Sequence, residues 1–362
     1  MDLLALQSIG KKAGFDRIGI APAWASEMEE LGHFAAWVEA GFAGEMQYLK
    51  RRAEDGEYQR SSLVRALPWA KSVVVAAMNY NSAAPRSTEA ASADCGWISR
   101  YAHSPRDYHE TVLDRLKKVE ATIADDFHEA EGGPIKTRVY VDTGPVLERV
   151  YAKYAGIGWI GKNTCLIDQK LGSWFFLGVI VTSIDVSHFG IAPRQTQLAP
   201  DRCGSCTRCI DACPTKAIVA PRQLDASRCI SYFTIEKRGT IPEKMRTEIG
   251  RHVFGCDICQ DVCPWNRKAP VNANDDFAPD PMLVNPELSE LAKISAEEFR
   301  RRFRGSPISR AKHSGFLRNV AIAMGNSGEQ KFMPQLREMS VSDDSVVAEH
   351  AQWSLERLGG DS

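Results

Sequence analysis

The spacing of the cysteines constrains the fold of this chain more than any other feature of its sequence. Residues 203–214 follow the pattern C-x2-C-x2-C-x3-C-P, which bacterial ferredoxins use to hold [4Fe–4S] clusters. Residues 256–264 repeat the last three cysteines and the proline of that pattern. Cys229 is the one cysteine left inside this segment, so it is the candidate for the missing ligand. The spacing predicts a ferredoxin-like segment with two [4Fe–4S] clusters between Cys203 and Pro264.

The spacing also predicts which cysteines share a cluster, because in two-cluster ferredoxins the fourth cysteine of each run serves the other cluster. The two groups are Cys203, Cys206, Cys209 and Cys263 for the first cluster, and Cys213, Cys229, Cys256 and Cys259 for the second. Two zinc sites are the alternative, since zinc binds four thiolates from C-x2-C pairs. Zinc has no use for the two x3-C-P steps, so iron–sulfur clusters are the prediction.

Two cysteines, Cys95 and Cys165, lie outside both runs. A free cysteine most often packs as a small apolar side chain. We expect that structural role for both and assign neither to a cluster.

Charge and hydropathy limit the partners of the whole chain. The formal net charge is −1, so the chain is no bulk binder of polyanions, and a nucleic-acid surface must be a local patch. No stretch approaches the roughly 18 apolar residues of a transmembrane helix, and the first residues predict an amphipathic helix rather than a signal peptide. We therefore predict a monomeric, cytoplasmic protein without a membrane partner, in which clustered cysteines bind metal rather than form disulfides.

Hydrophobic periodicity predicts three domains. Residues 1–198 are expected to form an α/β domain, residues 199–272 the ferredoxin-like domain, and residues 273–362 a small all-α domain. The α/β assignment depends on three apolar runs typical of buried strands, at 73–78, 139–141 and 175–181. It also depends on one helical pattern of apolar residues, at 112–123. A mobile loop is expected at 81–94 and a linker at 269–281.

Two apolar helix faces in the last domain resemble one HEAT-type repeat. They lie at 316–324 and 347–358, and the first helix is expected to end at Gly325-Asn326.

Nearly 200 residues precede the cysteines, whereas electron transfer alone needs a much shorter chain, so we expect the clusters to supply a catalytic centre. Asp142 is the candidate catalytic residue, because it follows the apolar run 139–141 at a point where a carboxyl can face a pocket. An equally natural interpretation is that Asp142 caps a helix that starts near Pro145. On these residues alone the two interpretations stay open.

Several segments together resemble the epoxyqueuosine reductase family. The similarity runs in order along nearly the whole chain, through the cysteine spacing and through residues 100–109, 142–149, 155–163, 228–236 and 254–259. It implies a cobalamin-dependent oxidoreductase that reduces epoxyqueuosine to queuosine at the wobble position of tRNAs with GUN-type anticodons. It also implies that the first domain binds cobalamin and is reductive-dehalogenase-like, and that an external low-potential donor supplies the electrons.

The resemblance implies roles for individual residues as well. Asp142 becomes the proton donor near the cobalt, in a dry pocket. No protein histidine is expected on the cobalt, because Asp107-Tyr-His109 lacks the glycine of the axial-histidine signature. Ser99 stands where some members carry a cysteine. The implied cofactor-binding residues are Arg60, Ser99, Asp142, Arg228, Cys256 and Asp257.

A tRNA substrate requires cations for its phosphates. Residues 299–318 sum to +7 and contain no Asp or Glu. The residues predicted to bind tRNA are Lys237, Arg300, Arg301, Arg304 and Lys312. A solvated surface without a ligand is the simpler interpretation of such a run.

Two other functions fit parts of the sequence. An iron–sulfur electron-transfer protein without its own substrate would need the clusters but no cobalamin. A respiratory reductive dehalogenase would carry a twin-arginine export signal, and no such signal is present.

Overall fold

The computed structural model describes residues 1–24, 28–89, 92–127, 134–192, 198–272 and 275–359. The strands are β1 (Arg17–Pro22), β2 (Ser72–Asn79), β3 (Trp97–Ile98), β4 (Thr137–Tyr140), β5 (Trp159–Ile160), β6 (Leu166–Ile167), β7 (Phe175–Thr182), β8 (Ile218–Ala220), β9 (Gln223–Leu224) and β10 (His252–Phe254). The helices are α1 (Leu3–Lys12), α2 (Glu29–Glu39), α3 (Leu63–Ala66), α4 (Tyr108–Phe127), α5 (Glu148–Tyr154), α6 (Arg208–Asp211), α7 (Glu243–Arg246), α8 (Ile258–Asp261), α9 (Leu288–Ala292), α10 (Ala296–Arg302), α11 (Lys312–Ser327), α12 (Met333–Ser340) and α13 (Ser345–Gly359).

The first part of the chain forms a four-stranded sheet in the order β1-β2-β7-β4. Every pair of neighbouring strands is antiparallel. The three apolar runs identified in the sequence are β2, β4 and β7, and the helical pattern between them is α4, so these predictions are confirmed. β2 lies in the middle of the sheet and is buried along its full length, which explains its continuous apolar run.

Helices cover both faces of the sheet. Side chains of a strand alternate between faces, so Val74 of β2 packs on one side with Leu116 of α4, while Val75 packs on the other with Val150 of α5. Gly178 of β7 permits the close approach of α4, because a Cβ atom there would lie 2.4 Å from a methyl group of Leu116. The helix layer on the second face places the start of α5 at the edge of a cavity described below.

The two predicted C-terminal helices are α11 and α13, and only the end of the first differs from the prediction. The first predicted helix does not end at Gly325, because α11 continues to Ser327 and closes at Gly328, which has a φ of +74°. Gly325 is a packing glycine instead, since a Cβ atom there would lie 2.5 Å from Oγ of Ser354 in α13. α11 and α13 are neighbours, and the short helix α12 lies between them in sequence.

The three predicted domains meet at residues 94–99. The amide of Trp97 donates to the carbonyl of Arg251, and β3 pairs in parallel with β10. On the other side, the amide of Gly96 donates to the carbonyl of Pro286. One hydrophobic core accordingly combines Ile98, Phe254 and residues of the C-terminal helices.

The segment expected to be a linker is also attached to the sheet domain. Nδ2 of Asn79 donates to the carbonyl of Pro270 at 2.9 Å, and Phe277 packs into the core that contains α4. Residues 273–274, like residues 90–91 of the predicted loop, lie outside the described ranges. None of the helices in the described ranges is long and apolar enough to span a bilayer.

Candidate active site

Two connected cavities lie between the sheet domain and the cysteine-bearing segment. The inner cavity has a volume of about 680 Å³, and one of its walls is formed by Cys213, Cys229, Cys256 and Cys259. The outer cavity has a volume of about 810 Å³ and is lined by basic residues that include Arg51, Arg138 and Arg310. The residues that line both cavities are Leu49, Arg60, Tyr101, Tyr108, Asp142, Glu148 and Ile235. The two cavities therefore form one continuous space.

Asp142 lies where the two cavities meet. It follows β4 with a φ of +56°, a left-handed conformation that non-glycine residues adopt rarely and that often marks functional sites. The hydroxyl of Tyr108 donates a hydrogen bond to Oδ2 of Asp142. The interpretation of Asp142 as a helix cap is wrong, because α5 begins at Glu148 and Leu147 precedes it without a side-chain cap. The exposed fraction of the Asp142 side chain is 54%.

His109 stands beside Asp142 and is held by Asp107. Nδ1 of His109 lies 2.7 Å from Oδ1 of Asp107, and Nε2 lies 3.8 Å from Oδ2 of Asp142. Burial opposes the charged imidazolium, but the hydrogen bond and charge of Asp107 outweigh it and raise the pKa of His109. The residues that the sequence offered as half of an axial-ligand signature thus form a hydrogen-bonded pair directed at Asp142.

Glu148 is a cavity residue to which sequence reasoning gave no role. It is the first residue of α5, and its Oε1 atom is buried without a hydrogen-bond partner in the described structure. Burial, and then the negative charge of Asp142, raises the pKa of Glu148 to about 7. The only signal in the sequence was a second carboxyl six residues after Asp142, which does not by itself indicate that the two share a cavity.

Ser99 and Asp257 are both buried and bind each other. Oγ of Ser99 donates to Oδ1 of Asp257 at 2.9 Å, and the amide of Arg100 donates to Oδ2 at 2.7 Å. Burial raises the pKa of Asp257 despite these bonds. Ser99 lies close to Gly255, where a Cβ atom would be 2.3 Å from the Ser99 hydroxyl and φ is +72°. The serine hydroxyl is therefore engaged with the cysteine-bearing segment at the cavity wall.

The other residues predicted to bind the cofactor do not all line the cavities. Arg60 lines both cavities, and its guanidinium lies 5.9 Å from the ring centre of Tyr48. Cys256 lines the inner cavity. Arg228 is exposed and is absent from the described lining of either cavity, so the structure does not bring it to the site.

The eight cluster cysteines separate into two spatial groups. Burial, followed by the nearby thiols of Cys263, Cys203 and Cys206, raises the pKa of Cys209 to about 11. Cys213 is instead a neighbour of Cys229 and Cys256, and its Sγ accepts a hydrogen bond from the amide of Ala217 at 3.3 Å. Each fourth cysteine thus lies beside the other run, which is the arrangement that the crossed assignment requires.

The two remaining cysteines are not fully buried. Cys165 is half-buried, lines the inner cavity and interacts with Cys259. Cys95 is half-buried as well, with its Sγ 3.7 Å from Oδ1 of Asp94. The expectation of purely apolar packing is incorrect for Cys165, because its surroundings are the cavity and a cluster cysteine.

The basic segment near the C-terminus is less uniform than its sequence. Arg300, Arg301, Arg304 and Lys312 are exposed. Arg318 is only 1% exposed, and its guanidinium donates to the carbonyls of Phe233, Lys237 and Gly239. The +7 sum therefore overstates the surface charge, because Arg318 is a core residue.

Two other cations near this segment have acidic partners. Arg310 binds Glu236, with Nη2 donating to Oε2 at 3.1 Å, and Lys237 forms an ion pair with Glu45. Arg51 and Arg138, which line the outer cavity, were missed by sequence reasoning because they come from segments far in sequence from the basic run 299–318.

Two family models match the chain. The "4Fe-4S double cluster binding domain" matches residues 202–266, which supports two iron–sulfur clusters rather than zinc. "Epoxyqueuosine reductase QueG, DUF1730" matches residues 60–143.

Curated relatives match over nearly the full length. The chain is 39% identical to the epoxyqueuosine reductase of Pseudomonas aeruginosa, covering 98% of this chain and 94% of the relative. It is 40% identical to the epoxyqueuosine reductase of Xanthomonas campestris pv. campestris, and the match covers 98% of this chain and 95% of that relative. The Escherichia coli K12 relative is 36% identical, and the match covers 96% of this chain and 86% of that relative.

Solved structures share the fold. An epoxyqueuosine reductase bound to a tRNA-Tyr stem loop modified with epoxyqueuosine superposes with a TM-score of 0.83 at 31% identity, covering 98% of this chain and 90% of that one. The Bacillus subtilis protein, described with its catalytic aspartate loop swung out of the active site, gives a TM-score of 0.82 at 30% identity, with the same coverage.

Proposed function

Because the chain belongs to the epoxyqueuosine reductase family, and is therefore an oxidoreductase, we propose that it reduces the epoxide of epoxyqueuosine at the wobble position of tRNAs with GUN-type anticodons. In this proposal cobalamin occupies the inner cavity and two [4Fe–4S] clusters supply electrons. One observation carries it: a single cavity is lined both by four cluster cysteines and by Asp142.

The residues of the inner cavity are chemically suited to cobalamin. Tyr101, Phe175 and Phe176 offer apolar surface for a flat macrocycle. Arg60 offers a polar group for its amide side chains. When bound, cobalamin would supply a low-valent cobalt centre able to break a carbon–oxygen bond. Ser99 and Asp257 would contribute through the cavity wall, whereas Arg228 is not retained as a contact.

Asp142 is the proton donor in this proposal. An epoxide oxygen that leaves as water must be protonated, and a carboxyl within hydrogen-bond reach of the substrate can do this. The hydroxyl of Tyr108 orients the carboxyl, and His109 lies 3.8 Å away as a further proton-carrying group. The catalytic aspartate loop described for the Bacillus subtilis relative supports an aspartate in this role.

The two cysteine groups suggest a direction for the electrons. The second group faces the cavity, whereas Gly204, Ser205 and Thr207 within the first run are exposed. An external low-potential donor would therefore reduce the cluster of Cys203, Cys206, Cys209 and Cys263, and the cluster of Cys213, Cys229, Cys256 and Cys259 would pass electrons into the cavity.

The tRNA would approach through the outer cavity. Arg51, Arg60 and Arg138 line it, and the exposed cations Arg300, Arg301, Arg304 and Lys312 extend the basic surface. Arginine and lysine at such positions bind nucleic-acid phosphates. The solved relative with a modified tRNA stem loop supports this substrate class. Lys237 is a weaker candidate, because Glu45 already neutralises it.

Anaerobic purification with added cobalamin tests the proposal. We expect stoichiometric cobalamin in the absorption spectrum, together with iron and sulfide for two clusters. With a chemical reductant, the protein should convert epoxyqueuosine to queuosine in tRNA, measured by mass spectrometry of the digested nucleosides. An iron–sulfur spectrum without cobalamin uptake or conversion would contradict the proposal and favour an electron carrier.

A further inference from the structure

Reduction of an epoxide to an alkene consumes two electrons and two protons, and both protons leave on the oxygen as water. This stoichiometry rests on the proposed function. Asp142 can carry one proton at a time, so the second proton must reach the oxygen from another group or through Asp142 a second time. The cavity residues offer a specific source for it.

Glu148 is placed to be that source. Glu148 is one of the seven residues that line both cavities, together with Asp142. Oε1 is buried and makes no hydrogen bond within the described residues. A buried polar atom without a partner is costly, and in native proteins it generally requires a functional or structural explanation. A carboxyl kept for proton transfer to a neighbour would provide one.

The surroundings of Glu148 favour its neutral form. α5 packs on the sheet through apolar residues such as Val75 and Val179, which offer the carboxyl no charge. The charged groups that act on it are Asp142, Arg60 and Arg149. Arg149 donates to the carbonyl of Thr164 at 3.0 Å, and no hydrogen bond to Glu148 is formed by either arginine. Further titratable groups near Asp142 are Tyr101, Tyr108 and His109.

We propose that Glu148 is a proton reservoir that acts through Asp142. Asp142 first protonates the epoxide oxygen as the carbon–oxygen bond is reduced, and becomes a carboxylate. The Glu148 carboxyl then transfers its proton to Asp142, which protonates the resulting hydroxyl so that it leaves as water. The two electrons come from the low-potential donor by way of the clusters, and Glu148 regains its proton from water in the outer cavity.

The raised pKa of about 7 supports this role, because a reservoir must hold its proton at neutral pH and release it readily. Only the protonated form of Glu148 can supply the second proton. Its population, and with it the rate, should therefore fall as the pH rises through this value.

Infrared titration of the protein without cobalamin tests whether Glu148 holds a proton. We expect a protonated-carboxyl stretching band that disappears as the pH is raised through about 7. Glu148→Gln should remove part of this band, and the rest belongs to Asp261, whose pKa is also raised to about 7 by burial. Glu110→Gln is the matched control, because Glu110 is an exposed glutamate in the first turn of α4, and it should leave the band unchanged. A band of unchanged area in Glu148→Gln would overturn the inference.

Single-turnover rates across pH then test the role in the reaction. Glu148→Gln should reduce the rate by about 10²-fold at pH 6 and remove the loss of rate near pH 7. Glu148→Asp, which can still carry a proton, should restore the pH dependence, and circular dichroism should show that all variants are folded. A wild-type rate and pH profile in Glu148→Gln would overturn the inference. If the wild type itself converts no epoxyqueuosine, the proposed function fails, whereas the infrared titration still decides whether Glu148 stores a proton.

Discussion

The inner cavity and the basic surface near the C-terminus handle charge in opposite ways. In the wall of the cavity, polar groups can be buried and paired, as in the hydrogen bond between Ser99 and Asp257. On the C-terminal surface, Arg300, Arg301 and Arg304 extend into solvent at the end of α10. Buried groups can tune reactivity, whereas exposed cations attract a polyanion over a distance and are screened by salt. The difference suggests that chemistry and substrate capture are separable, and four predictions address this.

The largest effect should follow Cys263→Ser. Although Cys263 is close in sequence to Cys256 and Cys259, it lies beside Cys203, Cys206 and Cys209. We expect iron to fall from about eight to about four atoms per chain, with loss of the cluster at the exposed run and no turnover with a protein donor. Iron and sulfide analysis with electron paramagnetic resonance measures this.

Cys95→Ser is the control for that measurement, since Cys95 lies in neither cysteine group, and it should keep both clusters. Selective loss of the cavity-side cluster in Cys263→Ser would show that the crossed assignment is wrong.

The next effect concerns Asp142. Asp142→Asn removes the acidic proton but keeps the size of the side chain, so single-turnover rates should fall by about 10²–10⁴-fold. Binding of cobalamin and of tRNA should stay the same. Asp114→Asn, an exposed substitution on α4, is the control and should have wild-type rates. An active but less stable Asp142→Asn protein would rule out proton donation.

A smaller effect, seen only when tRNA is not saturating, should follow the triple change of Arg300, Arg301 and Arg304 to Ala. Full-length tRNA should bind more weakly, and the log–log slope of affinity against salt should flatten by about 0.7 to 0.9 for each lost phosphate contact. The single-turnover rate at saturating tRNA should not change, because these residues lie outside both cavity linings described here.

Lys117 and Lys118 on α4 provide the matched control for the triple variant, since both are exposed cations. Their change to Ala should leave the salt dependence as it is. If affinity for full-length tRNA is unchanged in the triple variant across a salt series, the C-terminal surface is only a solvated one.

The smallest effect on turnover should come from Arg318→Met, because Arg318 is a core residue. The substitution leaves the carbonyls of Phe233, Lys237 and Gly239 without their donor, and each buried unsatisfied group costs about 1–3 kcal/mol. Denaturant unfolding should show lower stability, while tRNA affinity below the transition stays near that of the wild type. A large loss of tRNA affinity in the folded variant would place Arg318 at the binding surface after all.

Local spacing predicted the cysteine chemistry, because cluster ligands must converge within a short segment. The strands β2 and β7 were also predictable, since they contain the apolar runs 73–78 and 175–181 and are strongly buried. Arg318 was counted in the charge of the basic run although it is buried, because charge says nothing about burial. The end of α11 was misplaced because Gly325 and Gly328 look alike in sequence, and only the approach of Ser354 distinguishes a packing glycine from a cap.

The composition of the cavity was harder to predict. Arg51, Arg138 and Glu148 come from three separate segments that only the tertiary fold brings together. The hydrogen bond from Tyr108 to Asp142 likewise joins the start of α4 to the end of β4. Neither arrangement produces a pattern of residues that can be recognised in a single sequence. The assignment of Asp142 as the catalytic residue therefore depended on the resemblance to a family.

The pairing of β3 with β10 has a consequence for protein engineering. Residues 94–99 are bonded on one side to Arg251 and Phe254, and on the other to Pro286. A ferredoxin-like segment excised at Cys203 and Pro264 would leave behind the strand that completes its edge and the serine that binds Asp257. The ferredoxin-like segment is thus not an independent module. A chimaera that replaces it with a two-cluster ferredoxin from another protein would also need to carry a strand that matches residues 94–99.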